Sequence, residues 1–478
     1  MTMPSPTLHQ SCTKIVATVG PACDSPEQLA ELIRAGADVF RINTAHGEIA
    51  DHEKKVTAIR QASELTGTPV GILLDLAGPK IRLGELVCDP LQCDVGMELT
   101  FIREGEPATA HELTATYPKL IDELRPGNRV MLADGLVSLE VVSVDRERAV
   151  CRVTAAGEVR SRQGINLPGV KLSVSALQRK DIKNAIWAAD HHIDFISLSF
   201  VRTAEDVYSL KSVLTAHDCE ALVIAKIEKP EAMENLEDIV DVADGIMVAR
   251  GDLGVEIDVA ETPMAQKRII QVCKDKVKPV IVATQMLESM HHSSRPTRAE
   301  ASDVANAILD GADACMLSGE TAVGDHPIKA VQMMSRIMQF TEKSLRHDMS
   351  DRTITNRVHP ITTAVTYAAT NIAEAIGAAM IIIATKSGGT AWVKSKSRSL
   401  IPTLGVSDCE ATLRRINLFW GIKPRKVSQM EHPAMIRAEV CQWAKAKGHL
   451  KTGDRIVFVS GSGVVENAHN SVVVHTVE

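Results

Sequence analysis

Aromatic residues are scarce in this chain. Tryptophan, tyrosine and phenylalanine together make up 3% of it, while hydrophobic residues overall make up 45%. So few rings leave little from which to build a base-stacking nucleic-acid surface. Positive charge is also in deficit: the formal net charge is −7. This gives no general electrostatic footprint for DNA or RNA, although a local basic pocket stays open. The ten cysteines include no Cys-x-x-Cys pair. They read as reduced core thiols in a reducing compartment rather than a metal ribbon or disulfide framework. The apolar run Ala378–Ala384 is far too short to cross a bilayer and reads as a buried strand. The opening MTMPSPTLHQ has no charged-then-apolar layout of a secretion signal, so a cytoplasmic location is expected.

What is present is a chain of 478 residues, enough for two to four domains. Strand and helix patterns alternate at first. Lys14–Val19, Asp38–Ile42 and Val70–Leu74 read as strands, and Asp51–Leu65 reads as a helix. Ser25-Pro26-Glu27-Gln28 is a capping box with proline in the first turn. From Pro79 to about Val170 short alternating segments take over: Leu99–Arg103, Arg129–Leu132, Val137–Val144 and Ala149–Ala155, the pattern of a small all-β insert. Near-continuous apolar runs then return at Phe195–Phe200, Leu222–Ile227, Gly245–Ala249, Pro279–Thr284 and Ala314–Leu317, as in strands covered on both faces. Helical patterns lie between them at Ala204–His217, Pro230–Ala243 and Thr297–Asp310. Three strands before the insert and five after make eight, which predicts a (β/α)8 barrel with its site at the C-terminal rim. A further α/β unit is expected past Arg346, with a helix over Ile361–Ile376 and strands at Met380–Thr385, Ile401–Val406 and Arg455–Ser460. The expected domains are a tail 1–12, a barrel 13–78 and 171–345, a β lid 79–170 and an α/β domain 346–478.

Three segments carry chemistry, each placed where an apolar run turns polar: Ala225-Lys226-Ile227-Glu228, Ala249-Arg250-Gly251-Asp252-Leu253-Gly254 and Ala283-Thr284-Gln285-Met286-Leu287-Glu288-Ser289. Glu228 and Asp252 are one strand–helix–strand unit apart, so neighbouring parallel strands bring both carboxylates to one rim. Two carboxylates with open positions suit Mg²⁺. Lys226 adds a positive charge beside them, which suits phosphoryl or enolate chemistry. Each carboxylate also has a bland reading as a helix cap or lysine partner.

At these residues the chain resembles the pyruvate kinase family, from Thr13 to Val477. The resemblance rests on Thr13–Pro21, Arg41-Ile42-Asn43, Gly78-Pro79-Lys80-Ile81-Arg82, the three segments above, Pro296–Glu300 and Leu317–Ala322. It implies transfer of phosphate from phosphoenolpyruvate to ADP, with Mg²⁺ (or Mn²⁺) on Glu228 and Asp252 and a second Mg²⁺ arriving with ADP. By resemblance, Lys226 faces the transferring group and Arg41 clamps phosphate. The backbone at Gly251 and Asp252 receives the substrate carboxylate at a helix start. Thr284 takes part in proton delivery, with Ser318 and Glu320 in the same relay. Pro21, Asn43, His46 and Arg82 line the nucleotide side, and Asp134 lies in the lid turn. Ala133 and Gln163 depart from the family pattern there. Asn43 and Asp75 match positions around the monovalent-cation site, where this sequence also departs. Ala45 replaces a serine ligand, Leu76 a threonine and Lys80 a glutamate. An alanine cannot ligate an ion and an ammonium supplies charge, so K⁺ independence with Lys80 as surrogate is expected.

The loop Thr385-Lys386-Ser387-Gly388-Gly389-Thr390 reads either as an ordinary turn or as a phosphate nest. In the family it holds a sugar-phosphate activator, and AMP is a further candidate. Ser460-Gly461-Ser462-Gly463 is a second loop able to close over it. The resemblance also implies a homotetramer, with no nucleic-acid or membrane partner. The rival readings are a metal-dependent aldolase or lyase on the same kind of barrel and a catalytically silent metabolite-binding regulator.

Overall fold

The structure is a computed structural model; it describes residues 11–103, 105–133, 135–345, 358–461 and 469–478. Eight parallel strands close a barrel: Lys14–Thr18, Val39–Asn43, Gly71–Asp75, Phe195–Leu198, Leu222–Ile227, Gly245–Ala249, Val280–Ala283 and Ala314–Leu317. Each pairs with the next in sequence, and the first pairs with the last through Lys14↔Ala314 to Ala17↔Leu317. Their residues are almost wholly buried, as the continuous apolar runs require. The largest core cluster packs these strands against the surrounding helices, with Ile15, Phe40, Ile59, Leu210 and Val304 among its members.

The segment between the third and fourth strands forms the lid. Its six-stranded sheet runs Ile165–Asn166, Arg129–Leu132, Val137–Val144, Arg148–Ala155, Glu98–Ile102, Glu112–Leu113. A two-stranded pair, Leu91–Cys93 with Gly157–Val159, lies beside it. The lid has its own core, including Leu99, Phe101, Leu132, Leu139 and Cys151. The C-terminal sheet is ordered Ile422–Lys426, Thr403–Ser407, Met380–Ala384, Arg455–Ser460, Ser471–Thr476, with only the last strand antiparallel.

This C-terminal unit packs against the barrel floor. Trp392 and Phe419 join a cluster with Val16, Met247 and Met316. Buried ion pairs cross the junction, among them Lys396–Asp313 at 2.6 Å and Arg414–Asp194 at 2.8 Å. Ser11 and Cys12 are tied there too: Cys12 N–H donates to Glu342 and Gly421 N–H donates to Cys12 O.

Three local details differ from the sequence pattern. The helix expected over Pro230–Ala243 is two helices, Pro230–Glu234 and Leu236–Val242. Asn235 separates them, its side-chain amide donating to Arg202 O and Glu231 O. The strand expected over Phe195–Phe200 stops at Leu198, and Phe200 takes φ 57°, which no strand continues through. The edge strands Ile422–Lys426 and Ser471–Thr476 carried no clear alternation and were not expected.

Candidate active site

The barrel rim gathers side chains from several strand ends. Asp75, the last residue of the third strand, is fully buried and acts as an anchor. It accepts Arg41 Nε at 2.8 Å, a second bond from Arg41 Nη2, and Ser197 Oγ at 2.6 Å. Burial alone would raise its carboxyl, but Lys226 and Arg41 hold it below the ordinary carboxylate range. Arg41 also donates to Thr18 Oγ1. The guanidinium is thus fixed by the rim itself.

Lys226 ends the inner face of the fifth strand. Its Nζ lies 2.7 Å from Glu228 Oε1 and 3.6 Å from Asp75 Oδ1, and donates to Ser199 Oγ at 2.8 Å. Burial works against the charge, yet Asp75 and Glu228 outweigh it and raise the lysine above its ordinary value. Lys226 is therefore a cation throughout the working pH range. Glu228 is raised, first by burial and further by the charge of Asp252, with Lys226 opposing. Its Oε2 accepts Phe200 N–H at 2.8 Å, whereas Oε1 is buried without a hydrogen-bond partner despite the close ammonium. Asp252 lies in the first turn of the helix Arg250–Glu256 and keeps 27% of its side chain exposed. Lys80 Nζ approaches Asp252 Oδ1 to 3.9 Å. Hard oxygen donors, one facing only an ammonium and one open to solvent, fit a Mg²⁺ ion that keeps positions for substrate and water.

Thr284 follows the seventh strand at φ 67°, and Gln285 at φ 55°. A β-branched residue held there is strained, a cost that persists where its surroundings fix it. Thr284 Oγ1 accepts Gly251 N–H at 2.8 Å and donates to Ala283 O. Gly251 is close-packed against that hydroxyl: an added Cβ would stand 3.3 Å from it. Arg250 ties the same two segments by donating to Thr284 O and pairing with Asp303. On the eighth strand end, Glu320 is fully buried and accepts N–H groups of Ser318 and Leu287, and burial raises its carboxyl. Glu288, His291 and Glu320 bring ligand-type atoms within 4.8 Å of one another.

The nucleotide-side residues are more open. Pro21 and His46 are exposed, and Arg82 Nη1 donates to Arg162 O. His46 is lowered by the partial loss of water on its inner side and by the charge of Arg82. Asn43 Oδ1 accepts Ala45 N–H, and Leu76 is buried with its carbonyl accepting Ser199 Oγ. Gln163 Oε1 accepts Arg160 N–H. Asp134 lies outside the described residues.

In the C-terminal loop, Thr385 Oγ1 accepts Gly388 N–H and Thr390 Oγ1 contacts His469 Nδ1 at 2.8 Å. Lys386 and Ser387 are exposed. Ser462 and Gly463 lie outside the described residues.

Sequence reasoning missed Ser197, Ser199 and His291. The signal for the two serines was present: Ser197-Leu198-Ser199 breaks an otherwise apolar strand with two hydroxyls facing the same way.

Comparison with known proteins decides the family. The pyruvate kinase barrel domain matches residues 10–331 and the pyruvate kinase alpha/beta domain residues 363–475. The chain belongs to the pyruvate kinase family. A pyruvate kinase of Geobacillus stearothermophilus is 40% identical over 471 residues, covering 97% of this chain and 80% of that protein. One from Corynebacterium efficiens is 42% identical over 466 residues, covering 97% of both. The crystal structure of a pyruvate kinase from Cryptosporidium parvum superposes with a TM-score of 0.91 at 32% identity, covering 98% of this chain and 97% of that one. As a pyruvate kinase family member the chain is a phosphotransferase, and both rival readings fall away.

Proposed function

We infer that this barrel rim transfers phosphate from phosphoenolpyruvate to ADP, giving pyruvate and ATP, and that the residues gathered there divide the work. The reaction is that of the family. The assignment of roles rests above all on Lys226, a buried cation held 2.7 Å from Glu228 and within the field of Asp252. Phosphoryl transfer asks for little covalent work, so placed positive charge supplies most of the acceleration. Lys226 and Arg41 hold charge where the phosphoryl group passes. The helix start at Gly251 and Asp252 receives the substrate carboxylate, with Gly251 N–H exchanging Thr284 Oγ1 for it. Glu228 and Asp252 would hold Mg²⁺, which when bound supplies a Lewis acid against the negative charge of the enolate. Thr284, Ser318 and Glu320 serve proton delivery to the enolate carbon. Arg82, Asn43, His46 and Pro21 face the nucleotide, and the lid excludes water.

Lys226→Met tests this reading. Turnover with phosphoenolpyruvate and ADP is expected to fall more than about 1000-fold while far-UV circular dichroism stays native-like. A variant retaining activity would remove Lys226 from the mechanism.

We also propose that the enzyme works without K⁺, with Lys80 supplying the cation. Its place 3.9 Å from Asp252 supports this, as do Ala45 and Leu76, which offer no side-chain oxygen. Replacing K⁺ by tetramethylammonium is expected to leave turnover within about twofold; a loss beyond about tenfold overturns the proposal.

The loop Thr385–Thr390 is proposed to bind a phosphorylated effector, a sugar phosphate or AMP. Its exposed Lys386 and Ser387 and the left-handed Gly388 at φ 87° support this. Activation across a panel of such compounds reads it directly. A homotetramer, a cytoplasmic location and the domain limits 13–78 with 171–345, 79–170 and 346–478 complete the proposal. Among the described residues no helix is long and apolar enough to cross a membrane.

A further inference from the structure

Beneath the lid hinge lies a buried ion pair that the reading above leaves unused. Lys229 Nζ sits 2.6 Å from Glu256 Oε1, with 10% and 1% of the two side chains exposed. Lys229 immediately follows Glu228, and Glu256 closes the helix whose first turn contains Asp252. The pair therefore bridges the two segments that present the carboxylates. The same Glu256 oxygen accepts Asn166 Nδ2 at 3.4 Å, and Asn166 belongs to the last strand of the lid. Glu256 Oε2 is buried without a hydrogen-bond partner.

The second stem of the lid meets the same place. Lys229 Nζ lies 5.9 Å from the centre of the Phe200 ring, and Phe200 N–H donates to Glu228. Gly78, where the chain leaves the barrel for the lid, packs on that ring at φ +64°; an added Cβ would stand 3.0 Å from Phe200 Cδ2. On the return side Arg202 grips Leu172 O at 2.6 Å and Val174 O at 2.7 Å. Both stems thus converge on Phe200, Lys229 and Glu256, which line one partly open cleft with Pro79, Asn166 and Leu172. The ion pair is short and dry, the Asn166 contact long. The pair is the tight contact at this junction and the amide the loose one.

We propose that Glu256 is a positioning residue that, through Lys229 and Asn166, couples the seating of the lid to the spacing of Glu228 and Asp252. Neutralising one member of a buried pair strands the other as an uncompensated charge, which must find a new partner. The carboxylate next to Lys229 in the chain is Glu228, which would be drawn from Lys226 and Phe200 N–H if Lys229 turned to it. Groups that hold ligands in place affect metal affinity without touching the ion. This inference rests on the metal role given above to Glu228 and Asp252.

The test uses Mn²⁺ as a paramagnetic probe on the full-length enzyme, read by electron spin resonance without nucleotide. Glu256→Gln is expected to weaken Mn²⁺ binding about tenfold or more and to raise the KM for ADP more than it lowers kcat. The double variant Lys229→Met with Glu256→Gln leaves no stranded charge and is expected to recover Mn²⁺ binding to within about threefold of the native enzyme, a non-additive cycle. Asn166→Ala is expected to weaken Mn²⁺ binding about threefold, less than Glu256→Gln because the ion pair stays, while the ADP KM rises about fivefold and amide exchange speeds up across 165–172. If Glu256→Gln lowers only the melting temperature and binds Mn²⁺ as the native enzyme does, Glu256 is a structural residue and the proposal fails. Unchanged lid exchange in Asn166→Ala removes the coupling. Glu228→Gln is the control: if it binds Mn²⁺ unimpaired, the underlying metal assignment is what has failed.

Discussion

Lys226 shows how a single residue is tuned by its neighbours. Buried alone it would shed its proton; between Asp75 and Glu228 it keeps it. Thr284 is the other residue whose setting decides its use. A hydroxyl that accepts from Gly251 N–H is what its strained φ of 67° secures. Thr284→Ala is expected to lower kcat about 100-fold, whereas Thr284→Ser stays within about threefold, as steady-state assays would read. Equal losses in both would assign the effect to packing of the methyl group. At this scale the sequence was informative where a motif held several polar residues at a strand end, as in Lys226 to Glu228. It was silent on Asp75 as an anchor. Nothing in a lone aspartate after Leu73-Leu74 tells that Arg41, Ser197 and Lys226 converge on it from three other strands.

Among the elements, strands covered on both faces were legible because their apolar runs are continuous and end abruptly. Leu222–Ile227, Gly245–Ala249 and Ala314–Leu317 fall where the pattern places them. The N-cap at Ser25 was equally plain, with its side chain accepting Gln28 N–H. Helix breaks without glycine or proline were not. Asn235 interrupts a helix through amide bonds to Arg202 O and Glu231 O, and the first of these is a tertiary contact that periodicity cannot register. Close approach of two elements is also hidden in sequence until the fold is known. Gly20, after the first barrel strand, lies against the end of the short helix Gly319–Ala322, where an added Cβ would stand 2.5 Å from Ala322 O. That carbonyl also accepts Ala22 N–H, so it has little room to yield. Gly20→Ala is expected to cost about 2 kcal/mol or more, measured by urea unfolding, with secondary structure retained.

For the whole molecule, the junction between barrel and C-terminal unit is held by buried charges. Lys14 is fully buried, donating to Ile422 O at 2.6 Å and to Asp38, and burial lowers it from an ordinary 10.5 to about 8. The unfolded chain binds that proton up to about pH 10.5, while the folded chain releases it from about pH 8. More protons on the unfolded state means that stability rises with pH in this window. Relative to Lys14→Met, the native protein should therefore gain up to about 3 kcal/mol between pH 8 and 10.5, read from paired denaturation curves. A flat difference would mean that Lys14 is charged in the folded state throughout. The pairing of Lys14 with Ala314 has a consequence for biosynthesis. A ribosome has delivered the first barrel strand long before the last one exists. The β insert can collapse on its own while its host ring stands open, with Val16 and its neighbours waiting for a partner three hundred residues downstream. Ring closure must wait until Ala314–Leu317 has left the ribosome, and crowding by chaperones or aggregation with sister chains would act in that interval.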